Sequence, residues 1–118
     1  MTTFNIKRGE IYYAAIDPVV GSETGETRPV LIIQNDIGNL YSPTTIAAVI
    51  TEYSEKKANY PICVPVDMDA GLKKHSIVNL SQIRTIDIRR LIGPKIAALP
   101  DEIMEKVDMA LKNSLALK

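Results

Sequence analysis

Up to about residue 92, the chain alternates short apolar runs with clusters of turn-forming residues, a pattern that predicts β-strands. The runs are rich in β-branched and aromatic side chains, and no long amphipathic segment separates them as a crossover between parallel strands would require. We therefore expect a small antiparallel barrel or sandwich. The predicted strands are EIYYAAI (10–16), PVLIIQN (29–35), TTIAAVIT (44–51), YPICVPV (60–66), SIVNL (76–80) and QIRTIDI (82–88).

Details of this pattern make further predictions. Pro29 is expected at the first position of its strand, because proline cannot donate to a ladder of hydrogen bonds. In 44–51 the more apolar side carries Ile46 and Ile50, so we expect both to be buried and Thr51 to point the other way. The cluster NDIGNLYSP (35–43) is predicted as a turn cluster, and MDAGLKK (68–74) and the stretch around Arg89 are predicted as short turns or helical turns.

Residues 100–118 differ from the rest of the chain, because their apolar positions recur at helical spacing. Pro100 suits the first turn of a helix, and the acidic residues that follow it suit the positive end of the helix dipole. We predict an amphipathic C-terminal helix that caps one end of the sheet or forms part of a subunit interface. Its predicted inner face is Ile103, Val107, Ala110, Leu111 and Ser114.

Length and charge narrow the possible functions. A chain of 118 residues predicts one domain, 1–118, with an ordinary apolar core. The formal net charge is zero, so a polyanion would have to bind a local basic patch. The stretch from Lys73 to Lys95 is such a patch, with six basic side chains against one acid. Its basic residues are Lys73, Lys74, Arg84, Arg89, Arg90 and Lys95.

The scarcity of metal-binding side chains excludes several kinds of site. Cys63 is the only cysteine and His75 the only histidine. A four-cysteine zinc site and a pair of catalytic histidines are therefore impossible. A zinc site would need Asp or Glu to fill most of its shell. Neither the Walker nor the dinucleotide-binding spacing of glycines is present, and we expect no cofactor. The start of the chain lacks an apolar signal core, and no charge-free run is long enough to span a bilayer, so we expect a cytoplasmic protein without a membrane segment.

Four blocks of the sequence resemble the MazF/PemK family of bacterial toxins, and especially its Gram-positive branch. They carry the RGE step, the G-S-E-x-x-x-x-R-P-V loop, the strand ending in Ile50-Thr51, and QIRTID. The blocks are spread over the chain, and the resemblance covers nearly the whole of it from Ile6 onward. The blocks are KRGEIYYAAIDPVVGSETGETRPVLIIQND (7–36), SPTTIAAVIT (42–51), LSQIRTIDIRRL (80–91) and DEIMEKVDMALKNSLAL (101–117).

The resemblance implies a mainly β fold with a C-terminal helix, an SH3-like small barrel of the kind shared with gyrase-poisoning toxins. It also implies a homodimer that cleaves single-stranded RNA at short specific sequences without a metal, leaving a 2′,3′-cyclic phosphate and a 5′-hydroxyl. Such an endoribonuclease, or mRNA interferase, is held inactive by a MazE-like antitoxin that covers its groove. The catalytic roles of the family fall on Arg28 and Thr51.

Other polar residues in the matching blocks are expected to contact RNA. We predict Arg84, with Arg89 and Arg90, as a source of attraction for the RNA backbone. Two positions depart from the family pattern, Thr24 in place of the usual glutamine and Ser81 where many relatives carry an acid, so the recognised RNA sequence is not implied. The residues predicted to bind substrate are Glu23, Asn35, Ser81, Gln82 and Arg84.

Two alternative functions stay open at this point. A barrel of the same fold can poison a protein such as DNA gyrase without cleaving anything. A noncatalytic RNA-binding module is the other alternative, in which Arg28 only contacts a phosphate. The pair of Arg28 and Thr51 favours cleavage, since a gyrase poison does not need that pair. Glu23 or water is the candidate acceptor for the proton of the 2′-hydroxyl.

Overall fold

The computed structural model of the protein describes residues 5–16, 20–23, 26–67 and 71–118, and the strands in these ranges form one antiparallel sheet. The strands are β1 (Glu10–Ala15), β2 (Thr27–Ile32), β3 (Thr44–Glu52), β4 (Cys63–Val66), β5 (Ser76–Asp87) and β6 (Leu91–Ala98). The helices are α1 (Asp36–Tyr41), α2 (Glu55–Ala58) and α3 (Asp101–Leu115), with a 3₁₀ turn at Ile88–Arg90. The prediction of a mainly β fold with short helical turns and a C-terminal helix is confirmed.

The strands lie in the order β4-β5-β3-β2-β1-β6, so β4 and β6 stand at the two edges. Over the described residues these edges do not pair with each other, and the sheet is not closed into a complete barrel. The central strands β2 and β3 are buried on both faces because each face carries its own apolar core. Leu31, Ala48 and Ile50 belong to one core, and Val30 and Val49 belong to the other.

The helix α3 covers the first of these cores. Its side chains Met104, Val107 and Ala110 are buried, and Ile103 and Leu111 pack beside them. The predicted amphipathic helix is therefore present, and its apolar face covers the sheet. Pro100 precedes the first helical residue, and the left-handed Ala116 ends the last turn. Among the described residues, no helix is long and apolar enough to cross a membrane.

Gly9 and Arg8 join the start of β1 to its surroundings. Gly9 has a φ of 94°, which favours glycine, and its N–H donates to the carbonyl of Ile32 at 2.8 Å. The Arg8 guanidinium donates to the carbonyl of Ile33 at 2.8 Å and to Asp108 of α3 at 2.5 Å. The RGE step thus fixes the first strand against the second strand and the C-terminal helix.

Glu10, the last residue of that step, is a buried carboxylate with several donors. Its Oε1 accepts from the Lys7 N–H at 2.7 Å and from the Tyr12 hydroxyl at 3.0 Å, and Lys95 Nζ lies 3.3 Å from its Oε2. Burial and the bond to Glu10 raise the pKa of Tyr12 to about 12. The carboxylate therefore holds β1 and β6 together at this edge of the sheet.

Three strand predictions are wrong in detail. Pro29 is the third residue of its strand, not the first. It is tolerated there because the recorded pairing of β2 with β3 begins only at Val30. Ile46 is 36% exposed, and Thr45 beside it is fully buried. The two predicted strands 76–80 and 82–88 form the single strand β5, because a bulge rather than a turn separates them.

The predicted turn cluster 35–43 contains the helix α1. Asn35 caps this helix, with its side-chain oxygen accepting from the Gly38 N–H at 2.8 Å. Asn39 is buried and accepts from the hydroxyl of Thr45 at 2.7 Å. The prediction missed the helix because Gly38 and Asn39 are weak helix formers, and the helix is stabilised by the Asn35 cap and by the buried bond between Asn39 and Thr45.

Candidate active site

Arg28 and Thr51 line the same surface cavity, which has a volume of about 210 Å³. The cavity lies where β2 and β3 pass their last recorded pair and meet the segment that leads into β5. It combines positively charged, hydroxyl-bearing and apolar side chains. Its lining residues are Tyr13, Arg28, Pro29, Ile50, Thr51, Glu52, Leu72, Lys73, Lys74 and Ser76.

The register of β2 and β3 brings the two predicted catalytic residues together. The recorded pairs run from Ile32–Ala47 to Val30–Val49. If the same register continues for two more residues, Arg28 stands opposite Thr51. Both then share the sheet face of Val30 and Val49, because side chains alternate along a strand. Pro29, which has no N–H to donate, is the residue at which this ladder stops.

The hydroxyl of Thr51 is in an unusual position. It is buried, and it has no hydrogen-bond partner among the residues that the structure describes. A buried hydroxyl without a partner costs about 1–3 kcal/mol, so such groups are uncommon in folded proteins. The hydroxyl of Thr51 is therefore not used by another described group of the fold.

The charge of the cavity favours an anion. Arg28, Lys73 and Lys74 bring positive charge, and Glu52 is the acidic residue in the lining. Lysine and arginine side chains bind phosphate, and the planar guanidinium fork fits its oxygens well. Ser76 and Thr51 add hydroxyl groups. The arrangement can therefore hold a phosphate group and stabilise additional negative charge on it.

Two of the residues predicted to bind substrate lie outside the cavity lining. The carboxylate of Glu23 accepts from the Val20 N–H at 2.5 Å, within its own turn. Asn35 serves as the cap of α1. Thr24, where the chain departs from the family pattern, lies outside the described residues. The substrate roles of Glu23 and Asn35 stay predictions.

The other three lie on β5, also outside the cavity lining. Between the pairs Ala48–Ile83 and Val49–Asn79 the strand bulges, and Ser81 and Gln82 belong to the bulge. Ser81 is bound to the Asn79 side chain, with 2.6 Å between Oγ and Oδ1. Arg84 donates to the carbonyl of Ile16, at the end of β1. The last bond gives Arg84 a structural role beside its predicted role in RNA binding.

Sequence reasoning did not select several residues of the lining. Lys73 and Lys74 were counted in the basic stretch but were not assigned to the site. Tyr13 was one of five tyrosines without a distinguishing mark, and Glu52 directly follows Thr51. The signal for Lys73 and Lys74 was their charge. Their position near Thr51 depends on the pairing of β3 with β5, which the sequence does not show.

The described residues contain no group of three or more His, Cys, Asp or Glu side chains that could hold a metal ion. His75 Nε2 lies 3.0 Å from Asp67, and Cys63 is a buried free thiol whose pKa is raised by burial. Asp69, the other acid of the turn after β4, lies outside the described residues.

Comparison with known proteins gives consistent results. Endoribonuclease EndoA of Bacillus subtilis (strain 168) is 54% identical over 113 residues, which is 95% of this chain and 96% of that protein. MazF (Form-I) from Deinococcus radiodurans has a TM-score of 0.82 at 21% identity and covers 97% of this chain and 99% of its own.

A mycobacterial endoribonuclease, solved in complex with its cognate antitoxin, has a TM-score of 0.77 at 24% identity and covers 96% of this chain and 97% of its own. These two structures share the fold. Residues 7–115 match the family of PemK-like, MazF-like toxins of type II toxin-antitoxin systems. This match and the 54% identity to a full-length relative show that the chain belongs to that family.

Proposed function

We propose that the protein is a sequence-specific endoribonuclease that cleaves single-stranded RNA without a metal ion, with Arg28 and Thr51 acting on the scissile phosphate. The observation that carries this proposal is the shared cavity of these two residues, in which the Thr51 hydroxyl is buried without a partner among the described residues. Family membership and the endoribonuclease relative support the class of reaction.

The reaction needs no nucleophile from the protein, because RNA carries its own. The 2′-oxygen attacks the adjacent phosphorus, a bond forms between them, and the bond from phosphorus to the 5′-oxygen breaks. The products are a 2′,3′-cyclic phosphate and a free 5′-hydroxyl, so no water is consumed. The tasks of the enzyme are to hold the attacking oxygen in line and to stabilise the charge on the phosphorane oxygens.

Arg28 is suited to the charge on the phosphorane. Its guanidinium donates in a planar fork, and bonds between charged partners are stronger than neutral ones. Thr51 adds a directional donor, and removing one such donor from an enzyme costs about 10²–10³ in rate. Both groups are fixed by paired strands, so little reorganisation accompanies the reaction.

The proton steps need a group that exchanges protons more readily near neutral pH than an arginine does. Arginine has a pKa above about 12 and transfers protons poorly near neutral pH, so we assign Arg28 to charge stabilisation first. The acidic residue in the cavity lining is Glu52, whereas Glu23 is bonded within its own turn. Glu52 or water is therefore the acceptor that we propose for the 2′-hydroxyl proton.

The proposed partners follow from the family. A toxin of a type II toxin-antitoxin system is paired with an antitoxin, and we propose a MazE-like protein that blocks the RNA groove of this chain. We further propose a homodimer that acts in the cytoplasm, where its mRNA substrates occur. Single-stranded RNA fits this kind of site because its unstacked bases can lie in a groove and be read individually.

The test is cleavage of a long single-stranded RNA by the purified protein in excess EDTA, followed by mapping of the ends. We expect discrete cuts with cyclic-phosphate and 5′-hydroxyl termini at an unchanged rate with or without EDTA. Loss of cleavage in EDTA, restored by added Mg²⁺, would overturn metal independence. Intact RNA together with stalled DNA gyrase would instead support a gyrase poison.

A further inference from the structure

Tyr53 and His75 form a stacked aromatic pair next to the cavity. Their ring centroids are 3.9 Å apart and the ring planes differ by 11°. The Tyr53 N–H donates to the His75 carbonyl at 3.0 Å, and His75 Nε2 lies 3.0 Å from a carboxylate oxygen of Asp67. The backbone hydrogen bond and the contact with Asp67 thus flank the pair, and the proposed cleavage chemistry uses neither ring.

The pair continues the ladder on which Thr51 stands. Thr51 pairs with Ile77 and Glu52 pairs with Ser76, so Tyr53 is the next residue along and lies opposite His75. By alternation, Tyr53 shares a sheet face with Thr51. Two residues of a strand span about 6.6 Å. The stacked rings therefore lie within the reach of a nucleotide whose phosphate is bound at Thr51.

His75 keeps part of its ring exposed beside Tyr53. The His75 side chain is 41% exposed although Tyr53 covers one face of its ring. The exposed area therefore lies on parts of the imidazole that Tyr53 does not cover. Lys73 and Lys74 directly precede His75 and line the cavity, so positive charge for a phosphate lies beside the exposed part of the ring. An exposed aromatic ring with cations beside it is the arrangement that binds single-stranded nucleic acid.

We propose that the Tyr53–His75 pair is a stacking subsite for a nucleobase next to the scissile phosphate. The base would add a third layer on His75, with Tyr53 supporting the imidazole from behind. This inference rests on the proposed function, because it takes RNA as the ligand and Thr51 as the contact to the scissile phosphate. Stacking is tolerant of base identity, so the subsite contributes affinity and position more than sequence recognition.

The experiment compares a variant in the stacked pair with a variant in the carboxylate beside it. His75→Ala removes the stacking surface, whereas Asp67→Asn removes the carboxylate charge beside His75 Nε2 and leaves both rings. The probe is an oligoribonucleotide that spans a mapped cut, methylated at the 2′-oxygen so that it binds without being cleaved. We expect His75→Ala to weaken binding about tenfold, as for the loss of one base–aromatic stack, and Asp67→Asn to change it less than twofold.

A second probe separates stacking from a purely structural role. An abasic site is placed in turn on each side of the cut. At one of the two positions, loss of the base should weaken binding to the wild type about tenfold and leave binding to His75→Ala nearly unchanged. A stabilising role for His75 would instead lower affinity equally for intact and abasic probes, and that result would overturn the proposal.

The outcomes also distinguish this inference from the proposed function. If the wild type cleaves RNA but His75→Ala binds every probe as the wild type does, only the stacking subsite is wrong. If the wild type neither cleaves nor binds RNA, both proposals fail. Tyr41→Leu provides a matched control, because this tyrosine is well exposed on α1, outside the cavity lining, and should not affect binding.

Discussion

The hydroxyl of Thr51 makes no hydrogen bond within the part of the chain that the structure describes. The oxygen is buried, it sits on a strand paired through Ile77, and no hydrogen-bond partner reaches it among the described residues. Buried polar groups of this kind reduce stability, and they are retained where a function needs them. The sequence indicated Thr51 only through its family resemblance, since a threonine at the end of a strand is otherwise ordinary.

This position makes a prediction that separates stability from activity. Thr51→Val keeps the shape of the side chain and removes the unpartnered hydroxyl. We expect the free energy of unfolding, measured in urea, to stay the same or rise by about 1 kcal/mol. We expect the rate of RNA cleavage to fall about 10²–10³-fold, since a donor to the phosphorane is lost.

The matched control is Thr45→Val, on the same strand. The Thr45 hydroxyl is fully buried and donates to Asn39 Oδ1 at 2.7 Å, an oxygen that also accepts from Gln34 Nε2 at 3.1 Å, so its loss removes one of these two bonds. This variant should lose about 0.5–1.5 kcal/mol of stability, the net value of one hydrogen bond, and keep its cleavage rate at temperatures where it is folded. If Thr51→Val is the more destabilised of the two, the hydroxyl of Thr51 has a structural partner.

Asn35 and Arg84 show why single polar residues were hard to assign from sequence. Asn35 lies at the end of a predicted strand, and Arg84 lies in the basic stretch. Both positions are compatible with a contact to RNA in a groove. The structure gives each a hydrogen bond within the fold, Asn35 to the Gly38 N–H and Arg84 to the Ile16 carbonyl. The bond of Asn35 is a local helix cap and escaped prediction because α1 itself was not predicted, whereas the bond of Arg84 to a distant backbone atom depends on the tertiary fold, which residue type alone does not reveal.

At the scale of elements, most strands could be predicted because their apolar runs are continuous and end at turn residues. β6 was not predicted, because Gly93, Pro94 and Lys95 interrupt its apolar pattern and most of its side chains are exposed. It is an edge strand, and a bulge separates its two stretches of pairing with β1. The bulge in β5 likewise interrupts the regular pairing of the strand, and one strand was therefore predicted as two.

The segment from Gly71 to His75 is the element that brings lysines to the cavity. Gly71 has a φ of 97°, and a Cβ at this position would lie 3.0 Å from the carbonyl oxygen of Ile96. The segment therefore packs closely on β6, and Lys73 and Lys74 are placed at the cavity by a backbone that only glycine permits.

These lysines lead to a prediction about salt. For single-stranded nucleic acid, the logarithm of the binding constant falls with the logarithm of salt concentration by about 0.7 for each phosphate contacted. Lys73→Ala and Lys74→Ala should each reduce this slope by about 0.7, measured with the 2′-methylated probe. Lys106→Ala, on the exposed side of α3, is the control and should leave the slope unchanged. Equal slopes for all three variants would show that Lys73 and Lys74 do not contact phosphate.

At the scale of the whole molecule, function depends on charge placement rather than on net charge. The formal charge is zero, and the positive groups of the cavity come from β2 and from the segment before β5. The fold class and the class of toxin could be predicted from sequence, because the family resemblance covers nearly the whole chain. The composition of the cavity could not, since it joins residues distant in sequence. One domain spanning 1–118 and the homodimer stay predictions.

The central claim is that a guanidinium beside a hydroxyl carries the cleavage, and the most direct measurement is the single-turnover cleavage rate of Arg28→Ala. The control is Lys106→Ala, because Lys106 is an exposed basic residue of α3, outside the cavity lining. We predict a loss of at least about 10²-fold for Arg28→Ala and less than threefold for Lys106→Ala, with both proteins folded. Cleavage by Arg28→Ala at the wild-type rate would contradict the account.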